Sequence, residues 1–305
     1  MDELLASLPT LVHLAQTASV SKTARDLGVP RSTVSRRLAR LERILGVALA
    51  ERTTRSFRLT PAGQMLVDGA AGLLAELQTL RETVESSGGT VRGRIRVAAP
   101  PGLAGPFLGG FLRSFQDRFP EVEFEFVVMD RRPHLLDEGF DLVLATGPLE
   151  DLPWVRHRLG QSWYVAVASP SYLATRGTPS TTNELRTHRL LAGSLTGRSE
   201  REWPRVDGTT IPVQSRLVTN DLASLRGAAL EGLGVALLPV HLLIDDLRSG
   251  TLVPVLPQVI GQPLDIFALY AAERRTSPLI RALLDSVDAF ASAQVAPTFP
   301  HDARK

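Results

Sequence analysis

Between positions 31 and 40 the chain gathers Arg31, Ser32, Thr33, Ser35, Arg36, Arg37 and Arg40. An arginine offers two parallel donors that match guanine O6 and N7 or a phosphate, and hydroxyls near a helix start reach bases or phosphates. Val34, Leu38 and Leu41 fall within about 60° of arc at 100° per residue. That spacing predicts a helix from about Arg31 to Leu45 with this edge buried. Thr33, Arg36, Arg37 and Arg40 share a different arc of about 100°, which makes a cationic surface suited to a DNA major groove. Arg31, Ser32, Thr33, Arg36 and Arg37, toward the amino-terminal end, are the expected readers of bases, and Arg40 a phosphate clamp.

Such a helix needs elements to aim it. From Leu4 to Ala18, Leu4, Leu5, Leu8, Leu11, Val12, Leu14 and Ala15 recur with helical spacing. Ser19 can cap a short helix ending near Leu27, and Gly28-Val29-Pro30 breaks it. The result is a helix-turn-helix. Glu51 to Thr60 is β-branched and basic, predicting a two-stranded wing with Arg52, Thr53, Thr54 and Arg55 at its tip, where cations meet phosphate or the minor groove. Charge follows the same division. Positions 1–62 hold ten Lys/Arg against five Asp/Glu, a formal +5 that leaves −3 for the rest of a chain with net charge +2. A basic module joined to a mildly acidic one points to a polyanion partner for the first alone.

Thr60-Pro61 is a helix start, a capping hydroxyl followed by a proline whose missing N–H costs nothing there. Leu66, Ala70, Leu73, Leu77, Leu80 and Val84 then step by 4, 3, 4, 3 and 4 residues, the spacing of a coiled-coil seam. About 26 residues at 1.5 Å each give roughly 39 Å of helix. A homo-oligomer paired through 61–86 is expected, with an amphipathic helix packed on its own protein as the alternative. Gly88-Gly89 reads as a hinge.

From Arg94 onward strands alternate with helices in two sets, predicting a two-lobed α/β region with a return to the first lobe near Ile266. In open α/β sheets ligands lie beyond the carboxyl ends of strands. Four loops qualify by position: Pro100 to Gly105, Thr146-Gly147, Thr219-Asn220 and Leu233-Gly234. By pattern alone each reads equally as an ordinary turn. Catalysis finds no support. The six histidines have no metal-ligand spacing, and no GxSxG elbow or GxxxxGK[ST] loop is present. No cofactor is expected. Cysteine is absent, no apolar run reaches the ~18–20 residues of a membrane span, and Asp2 and Glu3 replace a basic leader. These features predict a cytoplasmic chain with no membrane partner.

The amino-terminal residues also match a family. Ser21 to Gly28 (Ser-x-Thr-Ala-x-x-Leu-Gly), Val34-Ser-Arg-Arg-Leu-x-x-Leu-Glu42, Leu45-Gly-Val47, Arg52-Thr-Thr-Arg55 and Leu59-Thr-x-Ala-Gly63 resemble a LysR-type transcriptional regulator. Lys22 and Thr23, in the first of these runs, join the candidate DNA contacts. Arg31-Ser32 and Ala50 depart from residues common in the family. The likeness continues through Phe119-Pro-Glu-Val122, Leu136-x-x-Gly-Phe-Asp-Leu142, Ala168-Ser-Pro-x-Tyr-Leu173, Asn220-Asp221 and Gly232-Leu-Gly-Val-Ala-Leu-Leu-Pro239.

The resemblance implies a winged helix-turn-helix (1–60), a linker and dimerisation helix (61–89), and a two-lobed α/β effector domain (90–292) similar to type 2 periplasmic binding proteins. Its first lobe covers about 90–163 and 268–292, its second about 164–267, and 293–305 form a tail. It implies binding to double-stranded operator DNA as a dimer or tetramer, with RNA polymerase as a further partner of an activator. It also implies a small-molecule effector between the lobes, touching Pro101, Gly102, Thr146, Thr219 and Asn220. Pro101-Gly102 stands where many members offer a hydroxyl. Two rival readings are a biotin-ligase type repressor-enzyme, of whose glycine-arginine loop Arg92-Gly-Arg94 is only a fragment, and a solute-binding protein, which the basic first module disfavours.

Overall fold

A computed structural model describes residues 2–52, 57–104, 106–129, 139–149, 154–193 and 202–293. Helices α1 (Asp2–Thr17), α2 (Val20–Asp26) and α3 (Arg31–Leu45) pack with a hairpin of β1 (Ala50–Arg52) and β2 (Phe57–Leu59), which pair antiparallel. Leu8, Leu11 and Leu14 of α1 meet Val34, Leu38 and Leu41 of α3 in one buried core. Local chemistry sets the corners. The Ser19 hydroxyl accepts the Lys22 N–H at the start of α2, and Gly46, at φ 68°, ends α3 in the left-handed region. The Glu42 carboxylate accepts the Leu49 N–H at 3.0 Å, fastening α3 to the wing.

Helix α4 (Pro61–Glu85) follows directly. Thr60 caps it by accepting the Gly63 N–H at 3.0 Å and donates its own hydroxyl to the Ala48 carbonyl at 2.7 Å. A β-carbon on Gly63 would stand 2.0 Å from the Leu49 carbonyl oxygen. Gly63→Ala is therefore expected to cost about 1–3 kcal/mol through a forced backbone shift. A thermal melt followed at the amino-terminal unit checks this, and an unchanged midpoint contradicts the close approach.

The rest of the chain supplies β3 (Gly93–Ala99), α5 (Pro101–Ala104), α6 (Pro106–Arg118), β4 (Val122–Val128), β5 (Leu142–Thr146) and β6 (Trp154–Ala168). Next come α7 (Pro170–Arg176), α8 (Thr182–Leu185), β7 (Leu190–Gly193), the hairpin β8 (Glu202–Pro204) and β9 (Thr210–Pro212), and β10 (Ser215–Thr219). Last are α9 (Leu222–Leu230), β11 (Val235–Pro239), α10 (Ile244–Ser249), β12 (Val253–Pro254), β13 (Pro263–Ala271) and α11 (Pro278–Ala293). The main sheet runs β10-β7-β11-β6-β13-β5-β3-β4, with β12 also on β6. Strand β6 belongs to both halves. Its first part pairs with β13, from Trp154↔Ala271 to Trp163↔Pro263, and its last residues pair with β11. One half buries Ile95, Val97 and Leu142 with Phe115 of α6 and Leu279, Ile280 and Leu283 of α11. The other buries Tyr164, Ala166, Leu190, Trp203 and Val235 in a separate core. Two lobes thus share a long strand and its return.

Helix α4 divides its seam between two uses. Ala70 is buried and Leu66 half-buried in the winged-helix core, so the amino-terminal part of the expected seam is occupied by the chain itself. Leu73, Leu77, Leu80 and Val84 remain 54–64% exposed and form an apolar stripe. The opposite face carries Thr79 and Glu82 into the first lobe. There the Arg274 guanidinium meets Glu82 at 2.8 Å and Asp141 at 3.1 Å, with the Ser277 hydroxyl donating to Glu82. Arg274 and Glu82 are almost fully buried. Burial pushes the Asp141 carboxyl up in pKa, against the pull of Arg274 and of the Arg96 N–H.

Candidate functional site

The basic arc of α3 splits in two. Arg31, Ser32 and Arg36 are exposed, and Thr33 and Ser35 half-exposed beside them. No side chain caps α3 and no carboxylate lies in its first turn, so the positive end of the helix dipole faces outward with Arg31 and Ser32. Arg37 and Arg40 turn toward α1. Arg37 donates to the Thr10 hydroxyl at 2.8 Å, and Thr10 is buried. Arg40 pairs with Glu3. The cause is angular: Arg37 lies only about 40° of arc from the core residue Leu41, so its stem starts at the rim of the α1 interface.

Lys22 is exposed on α2. Thr23 needs correction as a DNA contact. It is fully buried, and its hydroxyl lies 2.6 Å from that of Thr17, so it locks the start of α2 against the end of α1. The wing is a hairpin as expected. Arg52 ends β1, while its side chain and Thr53, Thr54 and Arg55 lie outside the described residues.

In the second region Pro101, Gly102, Thr146 and Asn220 come together around one narrow cleft that opens to solvent. Strand ends bring them there: β3 delivers Pro101 and Gly102, β5 ends at Thr146, and β10 leads into Asn220. Thr219 is placed otherwise. Its hydroxyl accepts the Asp221 N–H at 3.1 Å and serves the turn into α9. Asp221 caps α9 by accepting the Ala223 and Ser224 N–H groups. The Ser224 hydroxyl, with those amides, holds its carboxyl below the usual range.

Tyr164, Leu222, His241 and Leu264 also line the cleft. Sequence reasoning missed them. His241 has no metal-ligand spacing to mark it, although it comes two residues after strand β11, at the sheet end that carries the other loops. Its Nε2 lies 2.9 Å from the Gly102 carbonyl and its Nδ1 2.9 Å from the Ser162 hydroxyl. Burial pushes the imidazole below its ordinary pKa, and the Gly102 carbonyl works against that. Among the described residues no group of three or more His, Asp or Glu side chains could hold a metal ion. No described helix is long and apolar enough to cross a membrane.

Comparison with known proteins bears on both sites. Residues 5–64 match the bacterial regulatory helix-turn-helix family of lysR type, and residues 88–291 match the LysR substrate binding domain. An uncharacterized HTH-type transcriptional regulator of Escherichia coli, YhjC, is 30% identical over 91% of this chain and 94% of its own. The HTH-type transcriptional activator AaeR of the same organism is 28% identical over 93% of each chain. Among solved structures, full-length AphB, a virulence activator of Vibrio cholerae, aligns with TM-score 0.61 and 28% identity over 93% of this chain and 98% of its own. CrgA of Neisseria meningitidis aligns with TM-score 0.62 and 27% identity over 94% and 98%. An outward-facing basic recognition helix, a wing, and a two-lobed domain behind one linker helix therefore agree with these matches over nearly the whole length, and the chain belongs to the LysR family of DNA-binding transcriptional regulators, with an effector-binding domain and not an enzyme's.

Proposed function

We propose that the chain binds operator DNA as a homo-oligomer and that a small molecule held between its lobes adjusts that binding. The observation that carries this reading is the exposed stripe of Leu73, Leu77, Leu80 and Val84. It lies on the helix that is packed into the winged helix at one end and into the first lobe at the other. Pairing α4 with a second copy buries the stripe and sets two recognition helices at a fixed separation, to be read on two half-sites. The oligomer is one such dimer or a pair of them, and RNA polymerase is a partner if the regulator activates.

In this reading the units are a head (1–60), a linker (61–89) and a two-lobed domain (90–292). Arg31, Ser32 and Arg36 contact bases, with Thr33 and Ser35 beside them. Lys22 and the wing contact phosphate. Pro101, Gly102, Thr146 and Asn220 form the effector site, joined by His241 and Tyr164.

Leu77→Asp with Leu80→Asp tests the oligomer. Two carboxylates on the stripe are expected to leave a folded monomer in light scattering and to remove the paired half-site footprint on operator DNA. A double variant that stays dimeric contradicts the role given to α4.

A further inference from the structure

The walls of the cleft meet at one place, and His241 makes the join. Gly102 belongs to the first lobe, in α5 just after β3, whereas His241 follows β11 of the second. Ser162 lies on β6 where that strand passes between the lobes, paired with Leu264. A carbonyl only accepts, so the 2.9 Å contact with Gly102 places a proton on Nε2. In the neutral ring Nδ1 is then an acceptor and receives the Ser162 hydroxyl, which in turn accepts the His241 backbone N–H at 3.4 Å. One tautomer and one ring orientation are held by Ser162 at the crossover, with the Nε2–H aimed at the first lobe's Gly102 carbonyl. Beside it the gap is closed. A β-carbon on Gly102 would lie 2.9 Å from Leu222 Cδ1, so not even a methyl group fits there without movement.

A molecule that seats against the His241 Nε2–H must take it from the Gly102 carbonyl, and one that enters between Gly102 and Leu222 must part those two. Pro101, Leu103, Leu222 and Leu264 give the opening its apolar wall, with Thr146, Tyr164 and Asn220 as its polar members, so an N–H parted from its carbonyl beside that wall is best met by an acceptor on the incoming molecule. Leaving such a donor unmet costs about tenfold or more in affinity, a cost removed when the incoming molecule brings an acceptor. We infer that His241 is the specificity-determining residue of the cleft: it latches the lobes through the Gly102 carbonyl, and it admits compact, apolar-bodied molecules whose own carbonyl, carboxylate or similar oxygen takes over that N–H. This rests on the proposed reading of the cleft as the effector site. A ligand that also carries a donor satisfies the Gly102 carbonyl as well, so an amide or hydroxy-ketone is better matched than a simple ether.

Ligand-observed NMR on the full chain tests it with two matched pairs, acetophenone against ethylbenzene and cyclohexanone against methylenecyclohexane. Wild type is expected to favour each ketone by about tenfold or more. His241→Leu should bring each ratio within about threefold, chiefly by weakening the ketone. His241→Gln, whose amide nitrogen reaches near the Nε2 position, should keep most of the preference and serves as the folded control. Equal binding of both members by wild type, or a preference that survives in His241→Leu, overturns the role of His241 alone. If neither pair binds, or if a cleft-filling Gly102→Phe leaves binding untouched, the effector-site reading itself fails.

Discussion

Arg274→Met is expected to lower folding stability by about 3–5 kcal/mol, because it strips the counter-charge from two carboxylates that cannot reach bulk water. Arg274 is 3% exposed, its partners Glu82 and Asp141 6% and 13%. In a unit of this size the loss corresponds to a fall of roughly 10 °C in thermal midpoint. The sign of its pH dependence follows from Asp141. Burial already raises that carboxyl, and Arg274 is the largest opposing influence. Without the guanidinium the folded-state pKa rises further, so the folded variant takes up a proton more readily than the unfolded chain and regains stability as pH falls. The deficit should be visibly smaller at pH 5.5 than at pH 8. An equal deficit at both would show that the cluster is not held by charge. Removing both signs together, as in Arg274→Met with Glu82→Leu and Asp141→Asn, should recover much of the loss.

The position of this cluster gives it a second consequence. Asp141 immediately precedes β5, whose far end is Thr146 in the cleft, and Arg274 follows β13, whose near end carries Leu264 in the cleft. Those two strands pair with each other, Ile266 opposite Thr146 and Leu269 opposite Val143. In the proposed reading, an effector in the cleft acts on one end of this strand pair, whose other end grips α4 through Glu82. Loosening the grip should weaken the link between cleft and reading head.

The second large effect concerns DNA. Arg31→Ala with Arg36→Ala is expected to reduce operator affinity by about a hundredfold or more, since each well-formed bidentate contact contributes about 1–3 kcal/mol of discrimination. Thermal stability should not move, because both side chains are exposed. Arg37→Ala should do the reverse in proportion. It removes the donor to the buried Thr10 hydroxyl, at about 1 kcal/mol of stability, with the smaller effect on DNA. Melting curves beside gel-shift titrations separate the two.

Much of this molecule was legible before its structure. The 3–4 spacing of Val34, Leu38 and Leu41, the Ser19 and Thr60 caps and the apolar runs of β3 and β11 are local signals, and local signals survive folding. Strand β6 carries a strong apolar signal only from Tyr164, where it becomes buried. Its first half alternates exposed and half-buried residues such as Arg156, His157 and Arg158 and looks like surface. The hairpin of β8 and β9 is too short to show a period. Side-chain partners across elements were beyond reach. Nothing near Arg37 or Thr23 reveals Thr10 or Thr17 as a partner, and nothing around His241 reveals a carbonyl 139 residues earlier. Periodicity reports which face is buried, not what it is buried against.

The central claim is that the exposed arc of α3 carries this chain onto duplex DNA, and binding measured against salt tests it most directly. For the full-length protein on operator DNA recovered from genomic fragments, affinity should fall by about 10³-fold or more between 50 and 200 mM salt. The Arg31→Ala, Arg36→Ala protein should bind more weakly at every salt concentration, with a shallower slope. Wild-type affinity indifferent to salt, or a double variant that binds the same fragments as tightly as wild type, would contradict the account.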